Sequence, residues 1–185
     1  MLIVTGCKKR PRVFGDITLD HTLYPVQECQ RELDCHAEVK GPQIDKLIVY
    51  KKRRRLYALS KGKLVLKCRI SLGKNADKGH KIQAGDYKTP IGHYHIVRKK
   101  CDRRLYRSLM ISYPDREDRE RARRLGVNPG GYITIHGQPK WNAHGIGNHY
   151  TFAHDWTEGC IAVPNSTMRK LWRAVKRGVK IDIYP

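Results

Sequence analysis

Two residues of this chain have the character of a catalytic pair. Cys160 follows a glycine in the stretch HDWTEGCIAV, and His136 closes the short apolar run Ile133-Thr134-Ile135, with Gly137 directly after it. A cysteine attacks as its thiolate, which a free thiol with a pKa of about 8.5 supplies only in small fraction at neutral pH. An imidazole beside it takes the proton, and backbone N–H groups steady the oxyanion formed when a carbonyl is attacked. A glycine before the nucleophile removes a Cβ from the approach path and lets those N–H groups turn inward. Gly159 meets that need, so the amides of Gly159 and Cys160 are the candidate oxyanion-hole donors. Each residue also has a structural alternative: a cysteine before an apolar strand is commonly a small core residue, and a histidine at a strand end commonly just packs.

The pair works only if the elements around it hold both side chains together. The sharp patterning starts at residue 45. Residues 46–50 are β-rich, the charged run 51–55 makes a turn, and 56–59 resume an extended strand. A tight turn at 60–63, where Gly62 supplies the positive φ, leads into a third strand at 64–70 and completes a meander. After a loop over 73–85, alternation in His93-Tyr94-His95-Ile96 predicts a strand over 93–97. Residues 115–125 read as a charged helix stopped at Gly126, and 128–131 as a sharp turn into the short buried strand that ends on His136. Asn165 is placed to cap a helix over 166–176, with Met168, Leu171, Trp172 and Val175 at helical spacing and Gly178 at its end; 180–184 form a last strand. The expected class is mainly β with two or three helices, and there is no internal repeat.

A chain of 185 residues suits one core and contains no apolar run long enough to span a membrane as a helix. Its 38 Lys and Arg against 17 Asp and Glu leave a formal charge of +21, which draws it toward polyanions such as an anionic wall polymer or membrane surface. The basic residues come as scattered clusters, not as a helix-turn-helix, zinc finger or aromatic strand pattern, so no specific nucleic acid is expected as a partner. His144, His149 and His154 recur at a spacing that fits no face of a regular element. They read as a substrate-lining loop, with a transition-metal site as the alternative.

Six cysteines occur and none forms a CxxC pair, which removes support for a structural zinc site. An even count suits disulfides in an oxidising compartment, Cys29 with Cys35 being one example, although spacing does not set connectivity. Residues 1–44 are weakly patterned. Within them Leu2-Ile3-Val4-Thr5-Gly6-Cys7 looks like the end of a bacterial lipoprotein signal, with Cys7 as the lipidated residue; the alternative is the start of a cytosolic chain.

From Asp45 to Tyr184 the chain resembles the YkuD-type L,D-transpeptidase catalytic domain, most closely a Gram-negative subgroup. The stretches DKLIVYKKRRRLYAL, SLGKNADKGHKIQAGDYKTPIGHYHI, ISYPDREDRERARRLGVNPGGYITIHG and DWTEGCIAV carry the resemblance, in the family's order. It implies a β-sandwich-like catalytic domain over 45–185 behind an N-terminal segment, in the periplasm or cell envelope, with a lipid anchor at Cys7 as one option. It also implies Cys160 as nucleophile, His136 as general base and the amides of Gly159 and Cys160 at the oxyanion, with Gly137, Thr157, Asp155 and Trp156 in support. Asp155 is expected to orient His136, and Trp156 to wall the cleft or pack beneath the loop. The implied reaction forms a thioacyl-enzyme on peptidoglycan stem peptides and needs neither metal nor cofactor.

The sequence departs from the family pattern at two places. Glu158 stands where many relatives have a second histidine, and Ala162 where an arginine is common. Those changes leave hydrolysis of the same bond, including protein–peptidoglycan links, as an alternative to transfer. A non-catalytic wall-binding or polyanion-binding module is the rival outside enzymology.

Overall fold

The computed structural model describes residues 29–30 and 41–185. Strands β1 (Ile44–Tyr50), β2 (Arg55–Ser60) and β3 (Lys63–Arg69) form the expected meander. Alternation on β1 sends Leu47 and Val49 fully inward, and the turns are made by residues that accept a left-handed backbone: Arg54 at φ +48° and Gly62 at φ +75°. The remaining strands are β4 (Gly92–Asp102), β5 (Tyr106–Ile111), β6 (Thr134–His136), β7 (Ile161–Ala162) and β8 (Val175–Tyr184). They join one sheet in the order β3-β2-β1-β8-β4-β5-β6-β7.

The sheet curls at β4. Its first residues, Gly92 to His95, pair with β8, while the stretch from Ile96 to Asp102 pairs with β5 across a register break. One strand thus serves two leaves, and a single apolar cluster takes Leu47 and Ile181 from one leaf and Leu109, Ile135 and Ile161 from the other. Over residues 41–185, three α-helices flank the sheet. Helix α1 (Arg116–Arg124) is charged at every position except the buried Ala122 and begins with a reciprocal capping box between Asp115 and Asp118. Helix α2 is the single turn Asn148–Thr151, and α3 (Asn165–Ala174) buries Met168, Leu171 and Trp172 and packs against β5.

Several expectations need correction. Strand β5 does not stand out in the sequence because basic residues surround it, and β4 runs on past residue 97 through Arg98, Lys99 and Lys100. Lysine stems lie along apolar surface while their heads find polar partners: Lys99 sits over the Trp172 ring and donates to the Trp172 carbonyl. Asn165 is not the helix cap; that position is Pro164, without a side-chain cap. Gly178 lies inside β8 at φ +88°, not at a helix end, because pairing of Val175 with Ile44 starts the strand early. Cys29 is bonded to Cys101, not to Cys35. Cys7 and Cys35 lie outside the described residues.

Candidate active site

Parallel pairing of β6 with β7 brings the two candidates together. Ile135 lies opposite Ile161 and His136 opposite Ala162, so Cys160, one residue before β7, comes beside the Thr134 end of β6. The Thr134 hydroxyl donates to the Cys160 sulfur at 3.6 Å, and the sulfur lies 3.7 Å from the Tyr132 carbonyl. His136 is buried, and its Nδ1 is 2.7 Å from the Gly137 carbonyl. A carbonyl can only accept, so Nδ1 carries the proton, and in the neutral ring Nε2 is left as the basic atom. The imidazole acts on the sulfur both as a hydrogen-bond partner and through its charge. Burial pushes the Cys160 thiol up, but His136 and Thr134 outweigh it and hold the pKa below the ordinary cysteine value.

The turn before Cys160 is built by close backbone approach. Gly159 has φ +125°, and a Cβ there would sit 2.7 Å from the Lys88 carbonyl oxygen. Gly73 faces it: a Cβ at that position would lie 2.2 Å from the Tyr87 oxygen and 2.9 Å from Gly159 Cα. Both glycines therefore let the loop leading to β4 close directly onto the turn before Cys160. Gly137 is equally constrained, since a Cβ would meet the Asn165 side-chain oxygen at 2.3 Å. That oxygen accepts from the Gln138 amide, while the Asn165 side-chain nitrogen donates to Ala143 O, so Asn165 secures the segment after His136.

Thr157 is buried and fastens the turn. Its hydroxyl donates to the Cys160 carbonyl at 2.7 Å and accepts the Gly159 amide at 3.2 Å. In this arrangement the Gly159 N–H is turned to Thr157, and the Cys160 N–H is the remaining oxyanion-hole candidate. Trp156 meets His136 edge to face at 5.6 Å, and its indole N–H is shielded from solvent with no hydrogen-bond partner among the described residues. Asp155 does not reach His136. Its carboxylate binds Arg54 and accepts the Leu72 amide at 2.9 Å. Of the three histidines, His149 leans on the Ile146 carbonyl and His154 packs on Tyr150, while His144 is exposed.

Sequence reasoning missed the residues that position the site from a distance. Lys51, nearly fully buried, donates to the carbonyls of Gly79 and Thr89 at 2.8 Å each, and burial lowers its pKa to about 8. The Thr89 hydroxyl accepts the Gly73 amide at 3.0 Å, which ties the same loop to the glycine facing Gly159. Lys51 reads in sequence as one more solvated charge, and only tertiary contacts distinguish it. Thr134 and Tyr132 likewise carry no motif.

Comparison with known proteins gives the same grouping. The YkuD family model, described as the L,D-transpeptidase catalytic domain, matches residues 45–183. A search of curated proteins finds no match. Among solved structures, the chain is similar to the helical cell shape determining protein Pgp2 of Campylobacter jejuni, with 25% identity over 80% of this chain and 53% of that one and a TM-score of 0.54. It is similar to Bd1075 of Bdellovibrio bacteriovorus at 20% identity, over 77% of this chain and 48% of that one, with a TM-score of 0.55. An L,D-transpeptidase from Mycobacterium smegmatis shares the fold at 13% identity and a TM-score of 0.51, over 78% of this chain and 60% of that one. The chain spans about half the length of the Campylobacter and Bdellovibrio proteins. With the family model covering every strand from β2 to β7 and both candidate residues, this chain belongs to the YkuD family of L,D-transpeptidase catalytic domains.

Proposed function

We propose that the protein is a cysteine-dependent L,D-transpeptidase acting on peptidoglycan stem peptides, in cross-linking or remodelling of the wall. The observation that carries this reading is a partly exposed thiol beside a buried imidazole whose Nδ1 is held by the Gly137 carbonyl, a neighbour that lowers the thiol's pKa. Nε2 of His136 takes the Cys160 proton, and the thiolate adds to the amide carbonyl between the L-centre of meso-diaminopimelate and the following D-alanine. A C–S bond forms while the carbonyl π pair moves to oxygen, where the Cys160 N–H is placed to receive it. The oxyanion collapses, the C–N bond breaks, and the D-alanine amine leaves with the proton from imidazolium. An acceptor amine then loses its proton to His136 and attacks the thioester, and the sulfur departs as thiolate.

Hydrolysis of the same thioester by water is the second reading, favoured by Ala162. That residue is fully buried and bridged to Ser71, so it offers an incoming peptide no polar group. We place the activity in an oxidising envelope compartment, a reading supported by the bond between Cys29 and Cys101. Incubation with a disaccharide tetrapeptide, followed by mass analysis of enzyme and products, tests the reading. An adduct on Cys160 with a cross-linked dimer means transfer, and free tripeptide without dimer means hydrolysis. No adduct with any stem peptide overturns the proposal in favour of a binding module.

A further inference from the structure

Beside the segment that leads to Cys160 lies an open cavity of about 610 Å³, and neither Cys160 nor His136 lines it. Its charged lining is Lys52, Arg54, Arg69 and Lys74 against Asp77 and Asp155, four cations to two anions. The anions are already engaged: Arg54 holds Asp77 at 2.8 Å and Asp155 at 2.7 Å, and Asp155 also accepts the Leu72 amide. Lys52, Arg69 and Lys74 have no carboxylate partner among the described residues, and the Lys74 ammonium lies only over the Tyr87 ring. The cavity therefore presents a surplus of positive charge around a recess, with Ile70 and Phe152 supplying apolar wall.

Its position connects it to the chemistry. The Lys74 amide donates to the Thr157 carbonyl at 2.9 Å, and Asp155 precedes Cys160 by five residues, a separation of at most about 18 Å along the chain. An extended peptide of four or five residues spans a similar distance. We infer that this cavity is a subsite for the carboxylates of an acidic peptide whose other end is at Cys160. The inference rests on the proposed reaction and adds where the charged part of the peptide is held. Single exposed contacts are weak, so the cations act together, and their effect falls on binding and not on the chemical step.

The test is steady-state kinetics of the wild type and of a Lys52→Gln/Arg69→Gln double variant, using an acidic stem peptide and its carboxyl-amidated form. The expected result is a KM about tenfold higher in the variant for the acidic peptide, with kcat within about twofold and no change for the amidated peptide. An equal response to both peptides, or none in an enzyme that turns over, overturns the subsite. Should the wild type form no thioacyl-enzyme, the reaction fails instead, and calorimetry of the same pairs judges the cavity. Tighter binding of the acidic peptide that the variant loses supports it. Equal binding of both forms, or equally tight binding of a scrambled acidic peptide, overturns it.

Discussion

Cys160 and Cys68 are the two free thiols among the described residues, and their surroundings shift their pKa values in opposite directions. Burial raises both. At Cys68, on β3 opposite Leu56, the hydrogen bond from Thr167 and the charge of Arg55 are too weak to counter it, and the pKa rises to about 12. At Cys160 the imidazole and the Thr134 hydroxyl reverse the sign. Desolvation is thus common to the two sites, and what separates the thiol shifted up from the one shifted down is a partner that becomes positive as the sulfur becomes negative.

The contrast breaks most sharply at the sulfur itself. Cys160→Ala is expected to abolish the thioacyl adduct in intact-mass spectra and lower turnover by at least about 10⁴-fold. Cys68→Ala should leave both within about twofold; a matching loss there would end the distinction. Replacing His136 with Gln should cost about 10²- to 10⁴-fold in turnover and make the two thiols alike. In the wild type, alkylation of Cys160 should rise with pH through a midpoint below the ordinary cysteine value. Without the imidazole, burial and the Thr134 hydroxyl remain, and the midpoint should move upward. Superimposable alkylation–pH profiles would show that His136 does not set the thiolate.

Smaller changes sharpen the comparison by disturbing geometry alone. Gly159→Ala puts a Cβ against the Lys88 carbonyl in a left-handed backbone, and should cost about 1–3 kcal/mol in thermal or denaturant unfolding. An unchanged midpoint would mean that the turn relaxes freely. Thr157→Val removes the hydroxyl that joins Gly159 to Cys160. It should lower kcat by about tenfold, equivalent to about 1.4 kcal/mol, with KM nearly unchanged, and Thr157→Ser should restore most of it. A serine variant as slow as the valine one would place the role of Thr157 in its methyl group.

The legible parts of the sequence were those where a local rule and the tertiary need agree. The β1–β3 meander shows itself through β-rich segments and turn glycine, α1 through its run of charges and Gly126, and the Gly159-Cys160 turn through a residue type that close backbone approach demands. The hidden parts depend on partners distant in the chain. Asp155 reaches Arg54, Asn165 braces Gln138 instead of its own helix, and Lys51 vanishes beneath a loop that only folding brings over it. Strand β5 is concealed for a related reason, since polar side chains such as Arg107 and Ser108 are buried within it.

Cys101 ends near the tip of the β4–β5 hairpin, and β5 lies directly under the strand that bears His136. Its bond to Cys29 fastens a leash across 72 residues, which in chain-entropy accounting restrains the unfolded chain by about 4 kcal/mol. A reductant would therefore leave Cys160 in place while lowering the stability of the fold that holds His136 beside it, so the redox climate around the protein bears on the fraction of molecules in which the two side chains meet at all.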